Sequence, residues 1–232
     1  MSLNRLRREI VSLKNPEKAR ILSSFFKTGK GEYGEGDRFL GLTVPQQRII
    51  AKKYFSLSLN EISSLLHSPF HEERLTALLI LVGKYNSSPI NEKSLIIEFY
   101  LHHTNHINNW DLVDLSADKL LGNYLVDKDK TILYRLVKSS LLWEKRIAIV
   151  STFAFIRQNK FDDTFKISQL LLQDKHDLIH KSVGWMLREV GKRDQIHLEQ
   201  FLKKYGKTMP RTMLRYAIER FPEKLRQHYL TL

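Results

Sequence analysis

KRIAIVSTF (Lys145–Phe153), HKSVGWMLRE (His180–Glu189) and LRYAIERF (Leu214–Phe221) are three renderings of one stretch. In each, a basic residue is followed two positions later by Ala or Val and then by further apolar side chains. The basic positions are Arg146, Lys181 and Arg215, 35 and 34 residues apart. The register extends backwards, because Asp111 lies 35 residues before Arg146 and Arg74 lies 37 before Asp111. A drifting period of that length fits two helices per unit. A lone helix pair cannot bury its apolar face, so neighbouring pairs must share a core. The fold class read from this pattern is all-α: an α-solenoid, or superhelix, whose second helices line a concave basic groove.

Local signals agree. Gly is only 10 and Pro only 6 of 232 residues. Pro16, Pro45, Pro210 and Pro222 stand where helices begin, a position that needs no backbone N–H. No alternating strand pattern and no Asn-Gly or Asp-Gly hairpin signal occurs. The expectation is about a dozen helices of about 10–16 residues joined by short polar turns. One domain spans residues 1–232: residues 1–44 supply N-terminal helices and a Gly-rich loop, and residues 45–232 the helical repeats. The loop, FFKTGKGEYGEGDRFLGLTVPQQ, contains G-x-G-x-x-G at Gly29, Gly31 and Gly34. No strand precedes it, and Glu32, Glu35 and Asp37 would repel a pyrophosphate, so it reads as an ordered connection rather than a dinucleotide site.

Lys and Arg number 38 against 25 Asp and Glu, a formal net charge of +13. The excess is spread along the chain, net +5 over residues 1–107 and +8 over residues 108–232, so a folded surface rather than a tail carries it. A polyanion, nucleic acid first, is the partner this suggests. Arg74, Arg146, Lys181 and Arg215, recurring at equivalent positions, are candidates to follow a phosphate backbone. The chain has no cysteine, which excludes disulfides, thiolate metal sites and cysteine nucleophiles and suits a reducing cytosol. MSLNRLRREIVSL is charged throughout, unlike a signal peptide, and the longest apolar runs are too short to span a bilayer.

Two histidine groupings have metal-like spacing. His102, His103 and His106 lack a neighbouring carboxylate or cysteine and read as a polar turn. His176 and His180 resemble H-E-x-x-H with Asp in place of Glu, but no third ligand is evident and a helix start is the simpler reading. No metal is expected. The tryptophans say more. Trp143 fits a core position, whereas Trp110 shares a helix face with Asp114, and Trp185 follows Gly184 with Arg188 three residues on. Two indoles near charged groups on separate repeats could form a cleft that attracts a cation to π faces and a carboxylate.

The segments NNWDLVDLSADKLLGNYL, LWEKRIAIVSTFAF and HKSVGWMLREVGKR resemble the AlkD-like DNA alkylation repair glycosylases, built from HEAT-like repeats. The resemblance runs from about Phe39 to Phe221 and rests on three repeats matching in order and spacing. It implies excision of cationic N3- and N7-alkylated purines from duplex DNA in base excision repair, with no metal or other cofactor and without base flipping. Its W-D-x-V-D motif assigns the catalytic carboxylate to Asp114 and the first cleft indole to Trp110. Its G-W-x-L-R-E motif assigns the second indole to Trp185 and a DNA contact to Arg188, and W-x-x-R assigns a backbone contact to Arg146. Lys181 and Arg215 join the DNA-binding set by their repeat positions. Short family members lack the insert TGKGEYGEGD, so DNA contacts of the N-terminal segment do not transfer residue by residue. The expectation is a cytoplasmic, monomeric glycosylase, with a non-catalytic DNA-structure-binding repeat protein as the alternative and a protein-binding scaffold as a further rival.

Overall fold

The computed structural model describes residues 2–231, and every regular element among them is helical apart from an isolated parallel bridge between Arg38 and Phe70. Chain contacts divide between Ser116 and Ala117 into two compact units.

The first unit contains α1 (Leu3–Ser12), α2 (Pro16–Phe25), α3 (Val44–Lys53), α4 (Leu59–Leu66), α5 (His71–Ser87), α6 (Ile90–His102), a 3-10 turn (Thr104–His106) and α7 (Trp110–Asp114). Helix starts follow from side-chain chemistry. Asn15 Oδ1 accepts the Lys18 N–H at 3.0 Å, with Pro16 in the first helical position. Ser58 and Glu61 form a reciprocal capping box, each satisfying a backbone N–H of the other. Helix α5 is the spine, with α3 and α4 packed against it. It is buried nearly all round, including its charged first turn, where His71, Glu72, Glu73 and Arg74 all lie in the interior.

The Gly-rich segment is strapped to that first turn. Glu72 Oε1 accepts the N–H groups of Leu40, Gly41 and Leu42 at 3.0, 2.7 and 3.2 Å. Gly41 has φ +91°, and a Cβ there would lie 2.1 Å from the Asn15 carbonyl oxygen, so only glycine lets the strap pass the start of α2. The loop is ordered without any phosphate cradle: Glu32 and Glu35 accept the Gly29 and Gly31 N–H groups, both at 2.8 Å.

The second unit contains a π-helical turn (Asp118–Gly122), α8 (Asn123–Leu125), α9 (Thr131–Val137), α10 (Leu142–Ser151), α11 (Phe153–Ile156), α12 (Asp162–Leu170), α13 (Asp177–Gly191), α14 (Gln195–Tyr205), α15 (Arg211–Ala217) and α16 (Glu223–Leu230). Helix α13 is its hub and packs on α10, α12, α14 and α15. A Cβ on Gly184 would meet the Met213 carbonyl oxygen and Tyr216 Cβ, both at 2.5 Å, so glycine sets the approach of α13 to α15. The repeat register holds here: Arg146, Lys181 and Arg215 are each the fifth residue of α10, α13 and α15. It drifts in the first unit, where Arg74 is the fourth residue of α5 and Asp111 the second of α7. The helices are more numerous and several are shorter than the periodicity suggests. One reason is visible at the end of α10, where the Ser151 and Thr152 hydroxyls donate to the Ile147 and Ile149 carbonyls at 2.7 Å and the chain breaks before α11.

Candidate functional site

In the first unit the side chains around α7 form a buried ionic network. His71 opens α5 and is 2% exposed; its Nδ1 faces Asp37 Oδ2 at 3.0 Å and its Nε2 faces Asp111 Oδ2 at 2.9 Å. Both neighbours are carboxylates, so both ring nitrogens must carry hydrogen and donate, which makes the ring an imidazolium. Burial alone would lower the His71 pKa, but the charge and hydrogen bond of Asp111 and the hydrogen bond to Asp37 outweigh it and raise the pKa to about 9. Burial alone would raise the Asp37 carboxyl. The His71 bond, the charges of Arg74 and His71 and the Asn109 amide outweigh that and hold it below its usual range.

Arg74 completes the network. Its Nη2 donates to Asp37 Oδ1 at 2.5 Å and its Nη1 to the Ser68 carbonyl at 2.9 Å. Asp37 and Asp111 against His71 and Arg74 leave this network electrically balanced, the condition under which such burial is tolerable. The expectation that Arg74 follows a phosphate backbone is therefore corrected. It is 4% exposed and spends its guanidinium inside the protein.

This network fixes the start of α7. Asn109, which precedes the helix, accepts the Trp110 N–H at 2.8 Å and donates Nδ2 to Asp37 Oδ2 at 3.1 Å. Asp111 is bound to His71. Trp110 stacks on Phe26, with ring centroids 5.1 Å apart and planes 17° from parallel; Phe26 stacks on Phe39, and Phe39 on His71. Gly34 makes room for this arrangement, since a Cβ there would lie 2.4 Å from the Phe26 carbonyl oxygen. Three consecutive residues are thus held by an amide, an ion pair and a ring stack. Trp110 and Asp114, the first and last residues of α7, are both half-buried.

In the second unit Trp185 is half-buried on α13. Its ring lies 5.8 Å from that of Phe153, and its Nε1 donates to Glu189 Oε1 at 3.2 Å. Glu189 also pairs with Lys192 at 2.7 Å and Arg188 at 3.5 Å. Arg188 pairs with Glu219 as well. Arg146 is 5% exposed and donates Nη1 to the Leu178 carbonyl at 2.6 Å. Lys181 pairs with Asp177 at 2.7 Å, and Arg215 is exposed. The shared register therefore does not give a shared environment. Trp143, expected in the core, is half-buried.

The histidine groupings are turns and caps. His103 has both ring nitrogens committed, to Ser63 Oγ at 2.9 Å and the Phe99 carbonyl at 2.7 Å. His176 caps α13, its Nδ1 accepting the Leu178 N–H at 3.2 Å, and His180 Nε2 bonds the Asp174 carbonyl at 2.5 Å. No group of three or more His, Cys, Asp or Glu side chains among the described residues is arranged to hold a metal ion. No helix among them is long and apolar enough to cross a membrane.

Sequence reasoning missed Asp37, His71, Asn109, Glu189 and the Phe26–Phe39 stack. The available signal was the stretch HEER (His71–Arg74), four polar residues placed directly before the largely apolar run LTALLILV.

The model of a family described as DNA alkylation repair enzyme matches residues 6–221. Among solved structures, the chain is similar to one titled "Predicted DNA alkylation repair enzyme from Enterococcus faecalis", with a TM-score of 0.72 and 18% identity over 90% of this chain and 97% of that one. That likeness shows the fold, all-α and of the α-solenoid class. No curated protein sequence matches.

Proposed function

Because the chain belongs to the DNA alkylation repair enzyme family, we propose that it is a DNA glycosylase acting on cationic N3- and N7-alkylated purines in duplex DNA. The observation that carries this is the fixing of α7. A protein gains little by holding three consecutive residues through a buried imidazolium, an amide and a ring stack unless the side chains at the two ends of that helix must be placed closely.

An N-alkylated purine already bears positive charge, so its departure needs no general acid. The C1′–N bond breaks, its electron pair stays on the base and neutralises the ring, and the sugar acquires oxocarbenium character. In this reading the Asp114 carboxylate stabilises that charge, orients a water whose oxygen adds to C1′, and takes up the proton released. Trp110 presents an indole to the developing cation; the face against Phe26 is occupied, which fixes the ring plane. Trp185 is assigned the second indole. Arg188, Lys181 and Arg215 are assigned to DNA, with Arg215 exposed and Arg188 and Lys181 each already paired with a carboxylate that phosphate would have to displace; Arg146, which the family motif assigns to the DNA backbone, is as buried as Arg74 and would have to give up the Leu178 carbonyl to reach phosphate. Selectivity then comes from leaving-group lability, with the base left in the helix stack.

The test is release of 7-methylguanine and 3-methyladenine from methylated duplex DNA. Release by the wild-type chain, falling about 100-fold or more in Asp114→Asn, supports the proposal. Salt-sensitive DNA binding with no release of either base would mean a non-catalytic DNA-binding protein.

A further inference from the structure

In the second unit the Trp185 indole is held by its edge, and one side chain does the holding. Glu189 lies four residues after Trp185 on α13, one turn along the same face. Its Oε1 accepts the Trp185 Nε1–H at 3.2 Å. The same oxygen takes Lys192 Nζ at 2.7 Å and Arg188 Nη2 at 3.5 Å. Glutamates ordinarily keep their heads in water, yet this side chain is only 13% exposed. Two cations and the indole pin the carboxylate where it stands.

Without that bond the ring would be loosely set. The χ2 torsion of tryptophan has broad wells, so the backbone alone does not fix the indole plane. Its aromatic neighbour Phe153 lies 5.8 Å away with planes 53° apart, a tilted contact that tolerates rocking. Phe153 is itself steadied: the Arg157 guanidinium sits 4.4 Å from its ring centre and donates Nη2 to the buried Asp118 at 2.6 Å. The phenyl ring is thus a fixed neighbour, and the directional hydrogen bond to Glu189 sets the rotation of the indole against it.

We propose that Glu189 is a positioning residue, whose hydrogen bond to Nε1 holds the Trp185 indole in the plane from which its face meets the cationic sugar. This rests on the glycosylase reading, in which Trp185 is the second indole. A cation is attracted to the face of an aromatic ring and repelled by its edge, so rotating the indole changes the sign of the interaction. A misplacement on the order of 1 Å can cost about 100-fold in rate. The hold, rather than the charge, is the operative property. Three donors converge on Oε1, so a glutamine would set its amide oxygen in the same place and turn its NH2 group away from them.

The experiment compares Glu189→Gln with Glu189→Ala, which lose the same charge and differ in the acceptor. Alanine is the strongest helix former, so α13 keeps its backbone. In the DNA-free full chain the Trp185 indole N–H proton, assigned by its absence in Trp185→Phe, should stay downfield in Glu189→Gln and move upfield in Glu189→Ala. Single-turnover release of 7-methylguanine at saturating protein should fall about tenfold in Glu189→Ala and less than about threefold in Glu189→Gln. Both variants should bind duplex DNA at least as tightly as the wild type, since Arg188 and Lys192 lose a competing carboxylate. In a Trp185→Phe background, which has no indole N–H, the difference between the two should vanish. Equal rates in the two variants, a difference that survives in Trp185→Phe, or an unmoved indole proton in Glu189→Ala would overturn the proposal while leaving excision by the wild type standing. A wild type that releases no base would sink the glycosylase reading, and the role of Glu189 with it.

Discussion

Raising the pH past 9 should loosen the anchor of α7 and lower the stability of the whole protein. His71 has a pKa of about 9 in the folded chain, against 6.5 as its ordinary value. The folded state therefore holds its proton more tightly than the unfolded state. That preference stabilises the protein fully below about pH 6.5 and is lost as the pH rises through about 9. The gap corresponds to about 3 kcal/mol, most of which should disappear between about pH 7 and pH 10. Other groups leave this window clear. His106 and His176 are both lowered, by burial first, so their effect lies on the acid side. Tyr54, Tyr134 and Tyr229 are raised, again by burial first, so theirs begins above about pH 10. Urea unfolding at half-unit pH steps, with the His71 ring proton followed by NMR, measures both quantities. A stability flat from about pH 7 to 9.5, or a His71 that titrates near 6.5, would refute the two-carboxylate clamp. His71→Leu provides an independent check: it takes the charged partner from the buried Asp111 carboxylate, while Asp37 keeps Arg74 and Asn109, and should cost about 3–5 kcal/mol.

Gly184→Ala should destabilise by about 1–3 kcal/mol, because its Cβ would press on the Met213 carbonyl and Tyr216; an unchanged thermal midpoint would mean α13 and α15 pack less closely. Asn15→Ala removes the cap of α2 and should cost about 1 kcal/mol in chemical denaturation. Glu219→Gln frees Arg188 from a competing carboxylate, so anisotropy titrations should find tighter DNA binding and a salt dependence steeper by about one ion. An identical slope would take Arg188 off the DNA.

The parts legible in the sequence were the local and periodic ones. The period between Arg146, Lys181 and Arg215 reappears as one helical position, and Asn15–Pro16 and His176–Asp177 start helices as their chemistry requires. The clamp was not legible because its members are far apart in sequence. Asp37 lies 34 positions from His71 and 72 from Asn109, and His71 lies 40 from Asp111. Periodicity carries no information across a glycine-rich loop. Asp37 reads there as a surface charge that would repel phosphate, whereas the Arg38–Phe70 bridge and the strap of Leu40, Gly41 and Leu42 onto Glu72 hold the segment against the start of α5, where Asp37 is buried. Arg74 misled for the same reason: a basic residue in repeat register looks solvent-facing until its carboxylate partner arrives from another part of the chain.

In the proposed glycosylase Asp114 serves cleavage of the N-glycosidic bond rather than DNA affinity. The most direct measurement is single-turnover release of 7-methylguanine from duplex DNA by the wild type and Asp114→Asn at saturating protein, with DNA affinity determined in parallel. The expected result is a rate about 100-fold or more lower in Asp114→Asn at unchanged affinity. Equal rates, or a deficit explained wholly by weaker binding, would contradict it.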